Sequence, residues 1–337
     1  KLFVNGASVR YDVSETGTLA YAETGAADGP RVLGLVDLRV TGAPPEVLPV
    51  PPAQYSSPRL SPDGRRLAVH SGSEVAGNRV VWVYDLTGDR AIRQLTFEGD
   101  SHHPVWTPDG ERIAFASDRE GTASIYWQPA DGSGAAERLT TAEDGVEHLP
   151  SSWSPDGRRL VYIALSIDDA DVWAVEPGGG SEPVFQDPNQ YHLGPELSPN
   201  GRWIAYHTGK TLGDQDVYVE PFPPTGARHR ISQSGGYWSM WSRTGTQLFY
   251  RSIAQSVAAL RTVDVVTEPR FEFSPERELP PKGFVTVSFQ RDYDITPDGR
   301  KMLMVYPADF ASRAPRPTAR IHVVVNWLEE LKQRIPH

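Results

Sequence analysis

Imidazole is the first chemistry this chain suggests. His102 and His103 precede the apolar pair Val105-Trp106, His148 precedes Trp153, and His192 precedes Leu197. Neutral imidazole nitrogens are common ligands of divalent transition metals, so His102, His148 and His192 could hold one if the fold brings them together. Tyr55, Tyr191, Tyr237 and Trp238 stand at corresponding places before other apolar runs. Rings of these types offer an apolar face and a polar tip, which suits a peptide or a sugar. No general base accompanies the histidines in a recognisable pattern, so the expectation is a ligand surface before it is an active site.

Other chemistries leave no trace. The chain has no cysteine, which removes disulfides, thiolate metal sites and cysteine nucleophiles. Gly132-Ser133-Gly134 fails the spacing of a serine hydrolase elbow, and no Gly-rich phosphate loop, His-Arg-Asp or Asp-Phe-Gly is present for phosphotransfer. Asp63, Asp109, Asp156 and Asp298 recur along the chain, but each sits inside its own tight turn, where Asp caps its own backbone, too dispersed to converge on a calcium ion.

Those turns are what must position the rings. Ser61-Pro62-Asp63-Gly64 and Ser154-Pro155-Asp156-Gly157 show the pattern cleanly, and further copies end at Gly17, Gly110, Gly201, Gly245 and Gly299. Proline presets the first turn residue, Asp or Asn suits the second, and glycine takes the left-handed position that rejoins the ladder. Two copies, Ser14-Glu15-Thr16-Gly17 and Ser242-Arg243-Thr244-Gly245, lack the Pro-Asp pair. Successive glycines are 47, 46, 47, 44, 44 and 54 residues apart. A period of this size built from short strands marks a propeller, one four-stranded blade per repeat.

The expected fold is therefore all-β: a seven-bladed β-propeller of four-stranded antiparallel blades in a single domain spanning 1–337. The blades fall near 9–48, 55–96, 103–140, 149–185, 194–231, 237–279 and 287–325. The last repeat is one strand short, so Leu2-Phe3-Val4 is expected to complete it and close the ring. Asn326 as N-cap, with Glu329 three residues on and Leu328, Leu331 and Ile335 on one face, predicts a C-terminal helix over 327–335.

The strand pairs around Trp106 to Phe115 and Trp153 to Tyr162 resemble the WD-repeat-like propeller units of the TolB type. Gly201-Arg202-Trp203-Ile204-Ala205-Tyr206, Asp216 to Pro223, Tyr293 to Gly299 and the ending Val324 to Lys332 are similar to the C-terminal propeller of a group of bacterial serine/threonine protein kinases. That resemblance implies a sensing or protein-binding module rather than a catalyst.

Composition narrows the partners. A formal charge of −10 with no basic block disfavours nucleic acid, and no stretch approaches the length of a membrane span. The chain opens on Lys1 without a signal-like apolar segment, as an excerpt of a longer polypeptide would. The expected function is a non-catalytic ligand-sensing or protein-interaction module, monomeric, within a longer bacterial signalling protein. It would bind a peptide, protein segment or small ligand such as a glycan at a channel mouth formed by Tyr55, His102, His103, His148, His192, Tyr237 and Trp238. No cofactor is expected; the alternative is a metal-dependent lyase or hydrolase of acidic oligosaccharides, with His102, His148 and His192 on the metal. Location follows attachment: periplasmic if a membrane kinase precedes the chain, otherwise cytoplasmic.

Overall fold

The computed structural model describes residues 10–13, 19–22, 29–40, 42, 44–74, 76–88, 91–254, 257–281, 283–285, 290–310 and 321–324. Every element among them is a β-strand, and the propeller they form has six blades. Blade 1 runs Tyr55–Leu60, Arg66–Ser71, Val80–Asp85 and Ile92–Gln94; blade 2 runs Ser101–Trp106, Arg112–Ser117, Ser124–Pro129 and Glu137–Arg138. Blade 3 follows from Glu147–Trp153 to Ser181–Phe185, and blade 4 from Tyr191–Leu197 to His229–Arg230. Blade 5 has five strands, because Glu272–Phe273 and Arg277–Glu278 both pair with its long third strand Val257–Val266.

Blade 6 corrects the expected count of seven. Its inner strands are Tyr293–Ile295 and Lys301–Pro307, and its outer strands come from the other end of the chain, Arg31–Asp37 and Glu46–Val47. Seven consecutive pairs, from Lys301↔Asp37 to Pro307↔Arg31, zip the ring shut. The blade expected over 9–48 is thus divided. Its first two strands, Arg10–Val13 and Leu19–Ala22, form a separate three-stranded sheet with Ile321–Val324. The turn ending at Gly17 marked a hairpin, but a hairpin signal does not say which sheet it joins. Ile321–Val324 pairs with Leu19–Ala22, so it is not the third strand of a blade awaiting residues 2–4. Residues 2–4 and the predicted helix over 327–335 lie outside the described residues, and no α-helix occurs among those described.

Burial confirms the closed circle. A cluster with Leu33, Leu303, Leu67 and Val69 joins blade 6 to blade 1, and one with Val36, Met302, Met240 and Phe249 joins it to blade 5. Trp106, Trp153 and Trp241 close inner strands and pack against neighbouring blades. Every blade thereby buries both faces, as a repeat array without open ends must.

The turns build a second ring. In blade 1 the Ser61 hydroxyl donates to Asp63 Oδ1 and accepts from the Arg66 amide at 2.9 Å, while Asp63 also accepts from the Arg65 amide at 3.0 Å. The same bonds recur at Thr107/Asp109, Ser154/Asp156, Ser198/Asn200 and Thr296/Asp298. The Ser or Thr hydroxyl first, then the backbone amide, holds the Asp63, Asp109, Asp156 and Asp298 carboxyls below the usual range. Five of the six blade-turn glycines nest on the proline of the preceding turn. A Cβ on Gly64 would sit 2.7 Å from Pro297, one on Gly110 3.3 Å from Pro62, and one on Gly201 3.3 Å from Pro155. The collar breaks at one joint: Arg243 stands where the other five turns have proline, and a Cβ on Gly299 would meet nothing within 4 Å.

Candidate functional site

Five inner strands share an irregularity that decides what faces the channel. In blades 1, 2, 4 and 5 three residues on the inner strand span two on its neighbour, at Ser56 to Arg59, His102 to Val105, Leu193 to Glu196 and Tyr237 to Met240. Blade 3 slips likewise between Pro150 and Ser152. Three of these bulges hold a non-glycine residue at positive φ: Ser57 at 51°, His103 at 53° and Trp238 at 54°. Conformations of this kind cost energy and persist only where the surroundings fix them. At Ser57 the fixing groups are Asp292, which accepts its amide, and Gln290, which accepts its hydroxyl at 2.6 Å.

Beyond the bulges the strands point one row of side chains at a common cavity of about 300 Å³. The row is Arg59, Val105, Ser152, Glu196, Met240 and Asp294, one from each blade, each five residues before its turn glycine. Trp106, Trp153 and Trp241 stand next in the wall, and Pro62, Pro108, Pro155, Pro199 and Arg243 form the rim. Below, the channel tapers to a void of about 20 Å³ bounded by Arg59, Glu196, Arg291, His103 and Trp238.

The cavity is charged and partly desolvated. Arg291 forms a salt bridge with Glu196, both side chains largely buried. Burial raises the Glu196 pKa although Arg291 opposes it; burial works against the Arg291 charge too, but Glu196 and Asp294 outweigh it and its pKa ends up raised. Asp294 accepts the Leu60 amide at 2.7 Å and its own neighbour's amide, Ile295, at 2.8 Å. Arg59 Nη1 donates to two backbone carbonyls, Pro58 and Arg291, both at 2.9 Å, and its Nε has no partner among the described residues. Burial and then the Arg291 charge bring its pKa down to about 9, so it remains cationic at neutral pH. Arg243 reaches across the mouth toward the Leu60 carbonyl at 3.4 Å.

The residues singled out from sequence lie elsewhere. His102 is buried, and its Nδ1 lies 2.6 Å from His103 Nδ1; His70 completes a trio of rings 4.9–6.2 Å apart. Burial and then the neighbouring His103 hold His70 and His102 well below the ordinary histidine pKa. His148 bonds Thr140 Oγ1 at 3.0 Å and packs on Tyr162, and burial lowers it to about 4. His192 stacks on Phe185 and packs against Tyr206; burial lowers its pKa as well. Tyr55 is buried and bonded to Tyr84 at 2.9 Å, while Tyr237 donates to the Gly213 carbonyl at 3.0 Å. Of the seven, His103 and Trp238 reach the narrow void. Among the described residues no three His, Asp or Glu side chains come together in a group able to hold a metal ion. Sequence reading missed Arg59, Glu196, Arg243, Arg291 and Asp294; the offset of five from the turn glycine would have found three of them, and the missing proline a fourth.

Comparison with known proteins identifies the family and supports the fold. Residues 35–220, over half the chain, match the TolB beta propeller domain (PD40). The Tol-Pal system protein TolB of Anaeromyxobacter dehalogenans is 32% identical over 143 residues, covering 42% of this chain and 32% of that protein. The uncharacterized peptidase YuxL of Bacillus subtilis is 27% identical over 210 residues, covering 49% of this chain and 32% of the relative. The matches thus span about a third of each of these two relatives. A solved structure of a TolB from Agrobacterium tumefaciens superposes with a TM-score of 0.64 at 20% identity, covering 83% of this chain and 99% of that one; it shares the fold.

Proposed function

This chain belongs to the TolB β-propeller family, and from that premise we propose that it is a non-catalytic interaction module that takes a protein segment into the channel at its turn-side mouth. The observation that supports this reading is the cavity itself. All six blades line it, its walls combine three tryptophans with fixed charge, and its depth is narrowed by the bulge layer. A preformed concave surface with a few convergent polar groups on rigid strands is suited to recognition. The kinase-propeller resemblance of Asp216 to Pro223 and of the chain's ending supports a place within a longer bacterial signalling protein.

The test is selection from a random decapeptide display library on the immobilised chain, repeated with Ser152→Trp, which fills the cavity from blade 3. Peptides selected by the parent should be lost on the filled variant while its thermal midpoint stays within a few degrees. Failure to select any peptide, or equal binding to both proteins, would refute the channel as the interaction site.

A further inference from the structure

The charges around the mouth do not balance. Arg59, Arg243 and Arg291 face Glu196 and Asp294. Glu196 is taken by Arg291, and Asp294 by the two backbone amides of Leu60 and Ile295. Arg59 and Arg243 are left with backbone carbonyls alone among the described residues, and no carboxylate forms a salt bridge with either. Arg59 is half-buried and Arg243 stands exposed at the rim; a guanidinium that lacks a carboxylate partner attracts one, because the bond that forms is charge-assisted and can be bidentate. The surplus is local, since the chain as a whole carries −10.

The break in the collar exposes this charge. Five turns present proline to the next turn's glycine; at Arg243 a long cationic side chain replaces the proline and extends over the mouth from blade 5 to blade 1, leaving Gly299 uncovered. We propose that the segment bound in the channel is acidic, and that one of its carboxylates bonds the Arg243 guanidinium at the gap in the proline collar, within the field of Arg59. This rests on the channel reading above and names its ligand chemistry. The taper from about 300 to about 20 Å³ admits a chain end or one side chain more readily than a sugar ring, which favours a peptide.

The peptides selected on the full chain provide the test. An aspartate, a glutamate or a free C-terminal carboxylate should hold one fixed position among them. Synthetic copies with that group changed to its amide should bind at least about tenfold more weakly. Arg243→Gln should erase the difference between acid and amide copies, and Arg243→Pro, which restores the proline found in the other five turns, should do the same in a protein at least as stable as the parent. Channel-dependent peptides without a fixed acidic group, or an acid-to-amide ratio unchanged in both Arg243 variants, would overturn the proposal while leaving the channel reading intact. Selection of no peptide would instead overturn the channel reading. Quenching of tryptophan fluorescence by digalacturonate in that case would assign the carboxylate to a sugar and refute the peptide.

Discussion

His207 should make this propeller sensitive to acid, and the size of the effect follows from its surroundings. The ring is 1% exposed and lies edge-on to Trp238, with centroids 4.8 Å apart. Its Nδ1 accepts the Trp238 amide at 3.2 Å, which requires a lone pair there. Protonation would remove that lone pair and place a charge beside Arg251. Burial first, then Arg251, lowers the pKa to about 3. An unfolded histidine titrates near 6.5. Because the folded value is the lower one, the unfolded chain binds a proton that the native ring refuses throughout that interval. Stability is therefore complete above about pH 6.5 and falls as the pH drops toward 3, at roughly 1.4 kcal/mol per pH unit. Between pH 7.5 and pH 5 the loss from this residue is about 2 kcal/mol. Urea unfolding followed by tryptophan fluorescence at fixed ionic strength should show it as a pH-dependent fall in stability that shrinks by about 2 kcal/mol in His207→Gln. His148, lowered to about 4, contributes a similar amount and supplies an independent variant, His148→Gln. A His207→Gln protein that loses as much stability as the parent between the two pH values would refute the linkage, whatever the variant's stability at pH 7.5.

Four further substitutions probe the ring and its buried charges. Gly64 and Gly299 both sit at positive φ, 71° and 68°, but a Cβ at Gly64 would strike Pro297 while one at Gly299 meets open space. Gly299→Ala should cost roughly 1 to 2 kcal/mol for the backbone alone, and Gly64→Ala at least about 1 kcal/mol more, compared by chemical unfolding. Leu33→Ala should cost about 2 to 5 kcal/mol, because Leu33 is fully buried against blade 1 within the closing blade; a loss below about 1 kcal/mol would mean that strand Arg31–Asp37 does not complete the ring. Arg79→Ala should cost about 3 to 5 kcal/mol in thermal or urea unfolding, since it leaves Asp100 buried without the guanidinium that now holds both its oxygens.

The repeated turn made the architecture legible, because Ser or Thr, Pro, Asp and Gly each do a separate job that the structure repeats bond for bond. The number of blades was less legible. Spacing between turn glycines reports hairpins, and Ser14-Glu15-Thr16-Gly17 keeps the spacing and the closing glycine although the strands flanking it, Arg10–Val13 and Leu19–Ala22, form a separate sheet in which Leu19–Ala22 pairs with Ile321–Val324. Ring closure is a non-local pairing, Arg31–Asp37 with Lys301–Pro307, and nothing within either strand names its partner across the length of the chain. The split of blade 6 between the two ends of the chain explains why the last repeat looked incomplete.

The site was hidden for a more specific reason. His148 and His192 stand nine residues before their turn glycines, and Ser152 and Glu196 stand five before. In an unbroken strand a separation of four puts both residues on one face, so histidines and channel row would point the same way. The bulge between them inserts one residue and reverses that parity. Glu196 consequently turns into the channel, while His192 turns against Tyr206 of its own blade and Phe185 of blade 3. The same inversion separates Arg59, Val105 and Met240 from the residues that precede their bulges. The physical cue is weak because no residue type is common to the bulge: Ser57, His103, Gly194 and Trp238 all hold positive φ at equivalent positions, and only glycine does so without penalty. What keeps the other three there is contact from adjacent blades, Asp292 on Ser57, His70 on His103 and His207 on Trp238. The row that faces the ligand is therefore set by bonds between blades, which is why Arg59, Glu196 and Asp294 share an offset without sharing a residue type.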